Sequence, residues 1–389
     1  MSWKKKFVRN WGRLGMKFNR YALSDLATIK YGKNQKKVLS ESGNIPIYGT
    51  GGLMGYATTA LYDKPSVLIG RKGTIGKVKY VEHPFWTVDT LFYTIINTDI
   101  VLPKYLYYVM SLIDLNNYNE GTTIPSLRTE TLNRLEFDIP SLVEQETILS
   151  CLNPIDEKIA LNNAINNNLE QQAMAIFNNA IEQSKSVTYV ELGSLADVKG
   201  GKRLPKGSNL MSIPNSHPYI RVRDLNDVVF ASLSANYEYV DDETQKTISR
   251  YITTTDDVLI SIVGTIGLTA IVDKSLNMAN LTENCVKVTN LHGISPEYLL
   301  LYLRSQHGSE EIKKGTVGAV QAKLPIKNIQ VLSVPLLPQS DLQSLNDTLK
   351  VLFNQLSINV AESKCLTDIR DSLLPKLMSG ELDVSNVDF

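Results

Sequence analysis

Two glycine-rich stretches contain the residue types of a phosphate-binding loop. The first is VLIGRKGTIGKVKYV at residues 67–81, and the second is VLISIVGTIGLTAIV at residues 258–272. A phosphate loop needs a lysine followed by Ser or Thr, so that the ammonium binds phosphate and the hydroxyl binds Mg²⁺. Lys77 is instead followed by Val78, and the second copy has Leu268 in place of the lysine. Aliphatic residues flank the glycines on both sides, which predicts two related core β-hairpins.

Motifs for covalent chemistry are missing elsewhere in the sequence. Residues 153–156, NPID, lack the second proline of the loop that holds a flipped adenine in methyltransferases, and no glycine motif for a methyl donor is visible. A Walker lysine and a Gly-x-Ser-x-Gly elbow are also absent. The three cysteines and four histidines show no metal-ligand spacing. The sequence therefore shows no recognised catalytic motif and no metal-ligand spacing, although spacing alone does not exclude a dispersed nuclease site.

The hairpin belongs to a longer internal repeat. LSDLATIKYGK at residues 23–33 is similar to LGSLADVKGGK at residues 192–202, and LPKYLYYVM at residues 102–110 is similar to SPEYLLLYL at residues 295–303. These pairs occur in the same order as the two hairpins. The sequence therefore predicts two versions of one domain.

Length and composition fit two ordinary globular domains. The chain has 389 residues, 43% of them hydrophobic and 21% charged, and no apolar run approaches the ~18 residues of a membrane span. A secretory signal is not recognisable, and the scattered cysteines indicate a reducing environment. A cytoplasmic protein without a membrane partner is predicted.

Charge is distributed unevenly although the formal net charge is zero. Residues 1–15 carry five basic and no acidic residues, and residues 16–140 carry 14 basic and 11 acidic ones. Residues 141–184 carry one basic residue and six acidic ones, and residues 339–389 carry four and eight. The neutral total can therefore conceal basic surfaces on the globular parts.

Both acidic segments show the periodicity of long helices. Positions that step by three and four residues form a seam from Leu342 to Leu373, and a shift by 197 residues places a matching seam from Gln145 to Ile176. Asn162 and Asn359 lie near the middle of the two seams. If the helices pack antiparallel, these asparagines meet and fix the helix register. The alternative is that they mark a kinked or solvated stretch.

The motifs resemble those of one family, the specificity (S, HsdS) subunits of Type I restriction-modification systems. They are the entry to the first helix at Pro140, Glu144 and Gln145, the second domain built like the first, and the ending LLPKLMSGEL at residues 373–382. The resemblance runs from about Met16 through nearly the whole chain. The second helix departs from it, because Pro338 is followed by Gln339 and Ser340 without Glu-Gln.

The resemblance implies an α/β (α+β) architecture, with mixed or antiparallel sheets in two target recognition domains joined by two long antiparallel helices that form a coiled coil. The second helix would return to the first domain and bring the chain ends together. The predicted boundaries are an N-terminal extension at 1–15, domains at 16–140 and 185–338, helices at 141–184 and 339–379, and a tail at 380–389.

The function implied is sequence-specific binding of double-stranded DNA without catalysis by this chain. Each domain would read one half of a bipartite asymmetric site, and the helices would set the spacing and dock two methyltransferase (M) subunits. S-adenosylmethionine would bind the M subunits, which methylate adenine at N6, and restriction (R) subunits would use ATP and Mg²⁺. This chain itself would bind no cofactor.

Loop residues beside the shared framework are the predicted DNA contacts, because Lys and Arg neutralise phosphates while Arg, Gln and Asn read base edges. In the first domain they are Lys33, Asn34, Gln35, Lys36, Lys37, Arg71, Lys72 and Arg128. In the second they are Lys202, Arg203, Lys206, Arg221, Arg223, Gln321 and Lys323. The alternative for each is a solvated surface charge. For the whole chain the alternatives are a coiled-coil scaffold whose heads bind protein, and a nuclease fused to its own reader.

Overall fold

A computed structural model describes residues 16–234, 236–318, 321–382 and 384. The described chain divides into two compact units, one formed by residues 16–160 with the described residues from 363 to 384, and the other by the described residues between 161 and 362. The predicted basic extension at residues 1–15 lies outside the described residues, as do residues 383 and 385–389 of the predicted tail.

The first unit contains three groups of paired strands. Its strands are β1 (Asn19–Ala22), β2 (Ala27–Tyr31), β3 (Ile45–Gly49), β4 (Gly52–Ala57), β5 (Ser66–Gly70), β6 (Val78–Val81), β7 (Trp86–Thr87), β8 (Leu91–Ile96) and β9 (Glu136–Ile139). Its helices are α1 (Leu23–Leu26), α2 (Pro103–Ser111), α3 (Thr129–Asn133) and the beginning of α4 (Leu142–Gln183). The main sheet is antiparallel in the order β2-β8-β5-β6, and β4-β3-β7 form a mixed sheet. All five residues of β5 are buried, as expected of a strand covered on both faces.

The second unit repeats this plan with an additional edge strand. Its strands are β10 (Thr188–Glu191), β11 (Asp197–Gly200), β12 (Tyr219–Ile220), β13 (Phe230–Ala231), β14 (Val258–Ser261), β15 (Thr269–Val272), β16 (Asn280–Leu281), β17 (Cys285–Thr289) and β18 (Ser333–Leu336). Its helices are α5 (Leu192–Leu195), α6 (Asp242–Ile248), α7 (Pro296–Arg304), α8 (Gln306–Gly315), α9 (Ile326–Gln330) and most of α10 (Gln339–Met378).

Strand pairing shows that the sequence repeat is a repeat of topology. The order β2-β8-β5-β6 recurs as β11-β17-β14-β15, and the antiparallel pair β1-β9 recurs as β10-β18. The parallel pair β3-β7 recurs as β12-β16. The two predicted domain copies and their mixed or antiparallel sheets are thus confirmed.

Both glycine-rich stretches are core hairpins. Strands β5 and β6 pair antiparallel, and β14 and β15 pair in the same way. Gly73 and Gly264 occupy matching turn positions with φ of 84° and 80°, a conformation that glycine adopts without strain. The glycines therefore serve chain reversal, as the flanking aliphatic residues predicted.

Helices α4 and α10 are 42 and 40 residues long, or about 60 Å each at ~1.5 Å per residue. Their segments pack antiparallel within each unit. In the first unit Arg370 Nη1 lies 3.1 Å from Asp156 Oδ1. In the second unit Asn162 Nδ2 donates to Glu362 Oε2 at 2.8 Å, and Asn359 Nδ2 donates to Asn166 Oδ1 at 2.9 Å. Residues later in α4 thus contact residues earlier in α10, which confirms the predicted antiparallel pairing.

The seam follows the predicted positions except near the end of α4. Ile176 is 37% exposed, whereas the next residue, Phe177, is 2% exposed and packs edge-to-face on Tyr298 at 5.0 Å. An α-helix has 3.6 residues per turn, so its buried stripe drifts away from a strict 3.5-residue repeat. The predicted seam position Ile176 is therefore wrong by one residue.

A buried amide explains the sequence motif at the start of α4. Gln145 is fully buried, its Oε1 accepts from Leu102 N at 2.8 Å, and its Nε2 donates to the carbonyls of Ile100 and Pro140. In the second unit Ser295 occupies the position of Leu102, and its N–H is hydrogen-bonded by a different residue. Asn346 Oδ1 accepts from Ser295 N at 3.2 Å. The missing Glu-Gln after Pro338 is thus compensated about one helical turn later.

The two ends of the described chain meet in the first unit. Met16 and Val384 belong to one buried cluster, and Gly380 packs close to Phe18. The predicted return of the second helix to the first domain is confirmed for these residues.

Candidate nucleic-acid interface

The first unit gathers its loop residues at one end of the main sheet. Strands β2 and β5 end there and strand β8 begins there, because both are antiparallel to β8. Gly32, directly after β2, donates its N–H to Leu91 O at 3.0 Å. A Cβ atom at Gly32 would lie 2.0 Å from the Val88 carbonyl oxygen, so this close approach requires glycine.

The close approach of Gly32 to the Val88 carbonyl is followed by hydrogen bonds that hold the start of the lysine-rich segment 33–37 in place. Lys33 N donates to Thr87 O at 2.8 Å, and Trp86 Nε1 donates to Lys33 O at 2.9 Å. Asn34 Oδ1 accepts from Lys36 N at 2.9 Å, so Asn34 shapes the turn with its side chain. Lys33, Asn34, Lys36 and Lys37 are exposed, and Gln35 is half-buried.

The segment after β5 adds further cations at the same end of the sheet. The Arg71 guanidinium lies 5.0 Å from the Tyr31 ring centroid, and its Nη1 donates to Asp89 O at 2.8 Å. Lys72 is exposed and forms a β-bridge with Ser126. Arg128 follows two residues later, with its Nε 3.1 Å from Glu120 Oε2. The structure thus brings together the first unit's three predicted segments.

The second unit repeats the arrangement at the corresponding strand ends. Gly201 N donates to Cys285 O at 3.0 Å, and a Cβ at Gly201 would lie 2.0 Å from Thr282 O. Lys202, at the position that corresponds to Lys33, donates its N–H to Leu281 O at 2.8 Å, and its ammonium lies 5.4 Å from the Tyr251 ring centroid. Both copies therefore place an exposed lysine directly after a glycine that no other residue could replace.

Three arginines line a depression of about 360 Å³ in the second unit. Arg203 Nε donates to Glu283 Oε1 at 2.8 Å, and Arg223 Nη2 donates to Glu238 Oε2 at 2.7 Å. Arg221 also donates to Glu238. Burial alone would raise the pKa of Glu283, but hydrogen bonds from Arg203 and Thr282 hold it below its ordinary value. These carboxylates hold the arginines in fixed orientations.

The other predicted contacts of the second unit lie on two loops. Lys206 is exposed in a turn after Arg203. Lys323 pairs with Val317 and Val263 through β-bridges, and Gln321 precedes it on the same exposed loop. Because Val263 lies two residues after the end of β14, this loop also lies at the cation-bearing end of the sheet.

Lys77 and Lys79 belong to the same region of the first unit and were missed by the sequence analysis. Lys77 precedes β6, Lys79 lies within it, and both are exposed. Their alternation with Val78 and Tyr80 is the signal of a half-exposed strand, which does not by itself distinguish a binding face from a solvated one.

The geometry suits binding of a polyanion. In the parts of the chain that the structure describes, no group of three or more His, Cys, Asp or Glu side chains could hold a metal ion. No helix of the described residues is long and apolar enough to cross a membrane. Exposed lysines and oriented arginines at strand ends are groups of the kind that contact phosphates and donate hydrogen bonds to base edges.

Comparison with known proteins agrees with this interpretation. A family model described as the Type I restriction modification DNA specificity domain matches residues 16–171 and 184–366. The Type I restriction enzyme MjaIX specificity subunit of Methanocaldococcus jannaschii is 24% identical over 354 residues, covering 84% of this chain and 80% of that protein. The HindI specificity subunit of Haemophilus influenzae is 22% identical over 391 residues, covering 79% and 84%.

A solved structure shares the fold. The crystal structure of the Type-I restriction-modification system S subunit from M. genitalium superposes with a TM-score of 0.57 at 17% identity, covering 95% of this chain and 97% of that one. The family model covers residues of both units and most of each long helix. The chain therefore belongs to the family defined by the Type I restriction modification DNA specificity domain.

Proposed function

We propose that this chain reads a bipartite, asymmetric DNA site, with each globular part reading one half. The observation that carries the proposal is the repeated topology, with exposed cations after the same glycines (Gly32 and Gly201) in both units. DNA recognition as a specificity subunit is the role of the family. Because the loops of the two units differ in sequence, we expect two different half-sites.

Helices α4 and α10 would set the distance between the half-sites and provide docking sites for two modification subunits. In this proposal the modification subunits bind S-adenosylmethionine and methylate adenine at N6. Restriction subunits add ATP- and Mg²⁺-dependent cleavage where they are present. In this proposal the half-sites are read by the individual side chains predicted from the sequence, which lie between Lys33 and Arg128 in the first domain and between Lys202 and Lys323 in the second. The cytoplasmic location of the chain stays a prediction.

Mapping of methylated bases tests the proposal directly. DNA from cells that express this chain with its modification partner should carry N6-methyladenine in both halves of a split motif. Exchange of residues 16–140 for those of another family member should change one half of the motif and leave the other half unchanged. The matched control exchanges residues 185–338 and should change only the other half.

Two results would contradict the proposal. The first is a motif that stays the same after both exchanges. The second is an absence of methylation despite a formed complex, together with DNA binding by the purified chain that does not depend on salt. The second result would favour a scaffold whose heads bind protein.

A further inference from the structure

We propose that a cleft in the first unit binds a backbone phosphate of the DNA duplex through Lys77 and Lys79. The cleft has a volume of about 500 Å³ and lies between the turn that joins β3 to β4 and the hairpin of β5 and β6. This inference rests on the proposed DNA-binding function and assigns one anchoring point within it.

The lining of the cleft includes two cations. Lys77 and Lys79 line it together with Thr50 and Thr74, and no carboxylate is among the lining residues. Lys77 and Lys79 form no ion pair within the described residues. The two ammonium groups and the two hydroxyl groups can donate hydrogen bonds to the oxygens of a phosphodiester.

Lys79 is held in place by an aromatic ring rather than by a carboxylate. Its ammonium lies 3.8 Å from the Tyr48 ring centroid, a cation–π contact that positions the charge without neutralising it. The Tyr48 hydroxyl in turn lies 3.0 Å from His83 Nε2. Loss of solvation beside the neighbouring protein atoms lowers the pKa of Lys79, and a bound anion would offset that loss.

The opposite wall is main chain that a ligand can approach closely. A Cβ atom built at Gly51 or at Gly52 would meet no other atom within 4 Å. Gly52 has a φ of 114°, which side-chain-bearing residues rarely adopt. This turn therefore lets a phosphate reach the cleft without steric conflict.

The second unit shows that the framework does not require these lysines. Lys79 lies opposite Leu68 in the hairpin, and the matching pair in the second unit is Ala270 opposite Leu259. Ala270 is fully buried in an apolar cluster that includes Tyr237, and Leu268 stands at the position of Lys77. In the second unit these hairpin positions are therefore occupied by apolar residues. In the first unit they are occupied by two lysines that line a cleft.

The cleft also lies beside the predicted DNA contacts of its unit. Leu91 lines the cleft, and its carbonyl oxygen accepts from Gly32, the residue before Lys33. A duplex at this end of the sheet can therefore contact the lysine-rich segment 33–37 and the cleft together.

The salt dependence of DNA binding tests the assignment. The full chain, in complex with its modification partner, is titrated with a fluorescent duplex that carries the mapped motif, at several salt concentrations. Lys77→Gln with Lys79→Gln should reduce the slope of log K against log salt by about one, the contribution of one neutralised phosphate, with weaker binding to all sequences, and Lys77→Gln alone should reduce the slope by less. Lys64→Gln is the matched control, because Lys64 is exposed before β5 at the opposite end of that strand.

Lys77→Gln is not expected to impair folding, because Lys77 is exposed. Thermal unfolding checks that each variant is folded. A wild-type slope in folded Lys77→Gln and in the double variant would overturn the cleft assignment while leaving the proposed function intact. Salt-independent binding by the wild-type complex would overturn both. An equal loss in Lys64→Gln would show a general charge effect and would also overturn the assignment.

Discussion

Single side chains at the strand ends fall into two electrostatic classes. Four of the five predicted arginines are paired with carboxylates, as Arg203 is with Glu283 and Arg128 with Glu120, whereas Arg71 contacts the Tyr31 ring and the Asp89 carbonyl. Such exposed pairs contribute only about 0–1 kcal/mol, so a DNA phosphate can replace the carboxylate. Lys202 and Lys206 form no ion pair within the described residues. The lysines are therefore free to neutralise phosphates, while the arginines are already oriented.

Substitution of the two lysines should weaken DNA binding without changing the preferred sequence. Lys202→Gln with Lys206→Gln should reduce the slope of log K against log salt by about two, because each lysine neutralises about one phosphate. Binding isotherms of the chain with its modification partner at several salt concentrations measure this slope. Lys274→Gln is the control, since Lys274 is exposed beyond the opposite end of β15. An unchanged slope in the double variant would assign both lysines to a solvated surface.

Each unit attaches its globular part to the long helices by a different chemistry. In the first unit Asp156 of α4 lies 3.2 Å from Lys104 Nζ of α2 and 3.1 Å from Arg370 Nη1 of α10, and it also accepts a hydrogen bond from Tyr108. The second unit has Phe353 and Ala173 buried at the matching helix positions. There Arg304 of α7 contacts Glu170 of α4 and donates to the carbonyls of Thr269 and Val228.

Acid should weaken the attachment in the first unit. Burial alone would raise the pKa of Asp156, but hydrogen bonds from Tyr108 and Arg370 and the charge of Lys104 hold it below its ordinary value. The lowered pKa adds stability above the unfolded-state value of about 3.9, and this stability is lost as the pH falls through the folded-state value. Asp156→Asn should therefore cost about 1–3 kcal/mol of unfolding free energy near neutral pH.

Urea unfolding of the wild type and of Asp156→Asn at a series of pH values measures this effect. The difference between them should shrink below about pH 4, where the wild-type carboxylate becomes protonated. Glu157→Gln is the matched control, because Glu157 is the exposed neighbour on the same helix. A difference that stays constant with pH would show that Asp156 acts through packing rather than charge.

The central asparagines of α4 and α10 are a second element-level feature. Asn162 is fully buried and Asn359 is 5% exposed. Asn162 Nδ2 donates to Glu362 Oε2 at 2.8 Å, and Asn359 donates to Asn166. This burial does not fit the alternative of a solvated stretch. Their role in register stays a prediction.

Replacement by leucine tests that role. Asn162→Leu with Asn359→Leu should permit more than one helix alignment, because it removes the polar seam residues that favour a single register. Hydrogen exchange of the α4 and α10 amides and the oligomeric state report the alignment. Asn163→Leu makes the same change at an exposed position and should leave a single alignment. A single alignment in the double variant would argue against the register role.

The whole chain combines a duplicated reader with a pair of long helices. Both helices contain the division between the two units, after Ala160 in α4 and after Glu362 in α10. The length of this helix pair is therefore the quantity that we expect to correspond to the spacing of the two DNA half-sites.

Insertion of one heptad into each helix should change only the spacing. Seven residues added after Ala160 and seven added after Glu362 lengthen the pair by about 10 Å, or about three base pairs of DNA. Mapping of methylated bases should show the same two half-sites about three base pairs further apart. Insertion into α4 alone should break the helix pairing and abolish methylation. Unchanged spacing after the paired insertion would contradict a spacer role for the helices.

Local patterns in the sequence determined the duplication, the hairpins and the two helices. Aliphatic residues around matching glycines predict paired strands, and a sustained step of three and four residues predicts a helix, because these features depend on backbone geometry and side-chain period. The glycines before Lys33 and Lys202 were visible as a repeated pair, but their need for close backbone approach became clear only from the carbonyls of Val88 and Thr282.

Contacts between residues distant in sequence were decided by the tertiary structure. The pairing of Arg221 and Arg223 with Glu238, the replacement of Gln145 by Asn346, and the burial of Phe177 instead of Ile176 depend on how elements pack. The cleft around Lys79 likewise depends on Tyr48, which is distant in sequence. Local period fixes which face of an element is apolar, whereas the identity of the partner on that face is set by packing in three dimensions.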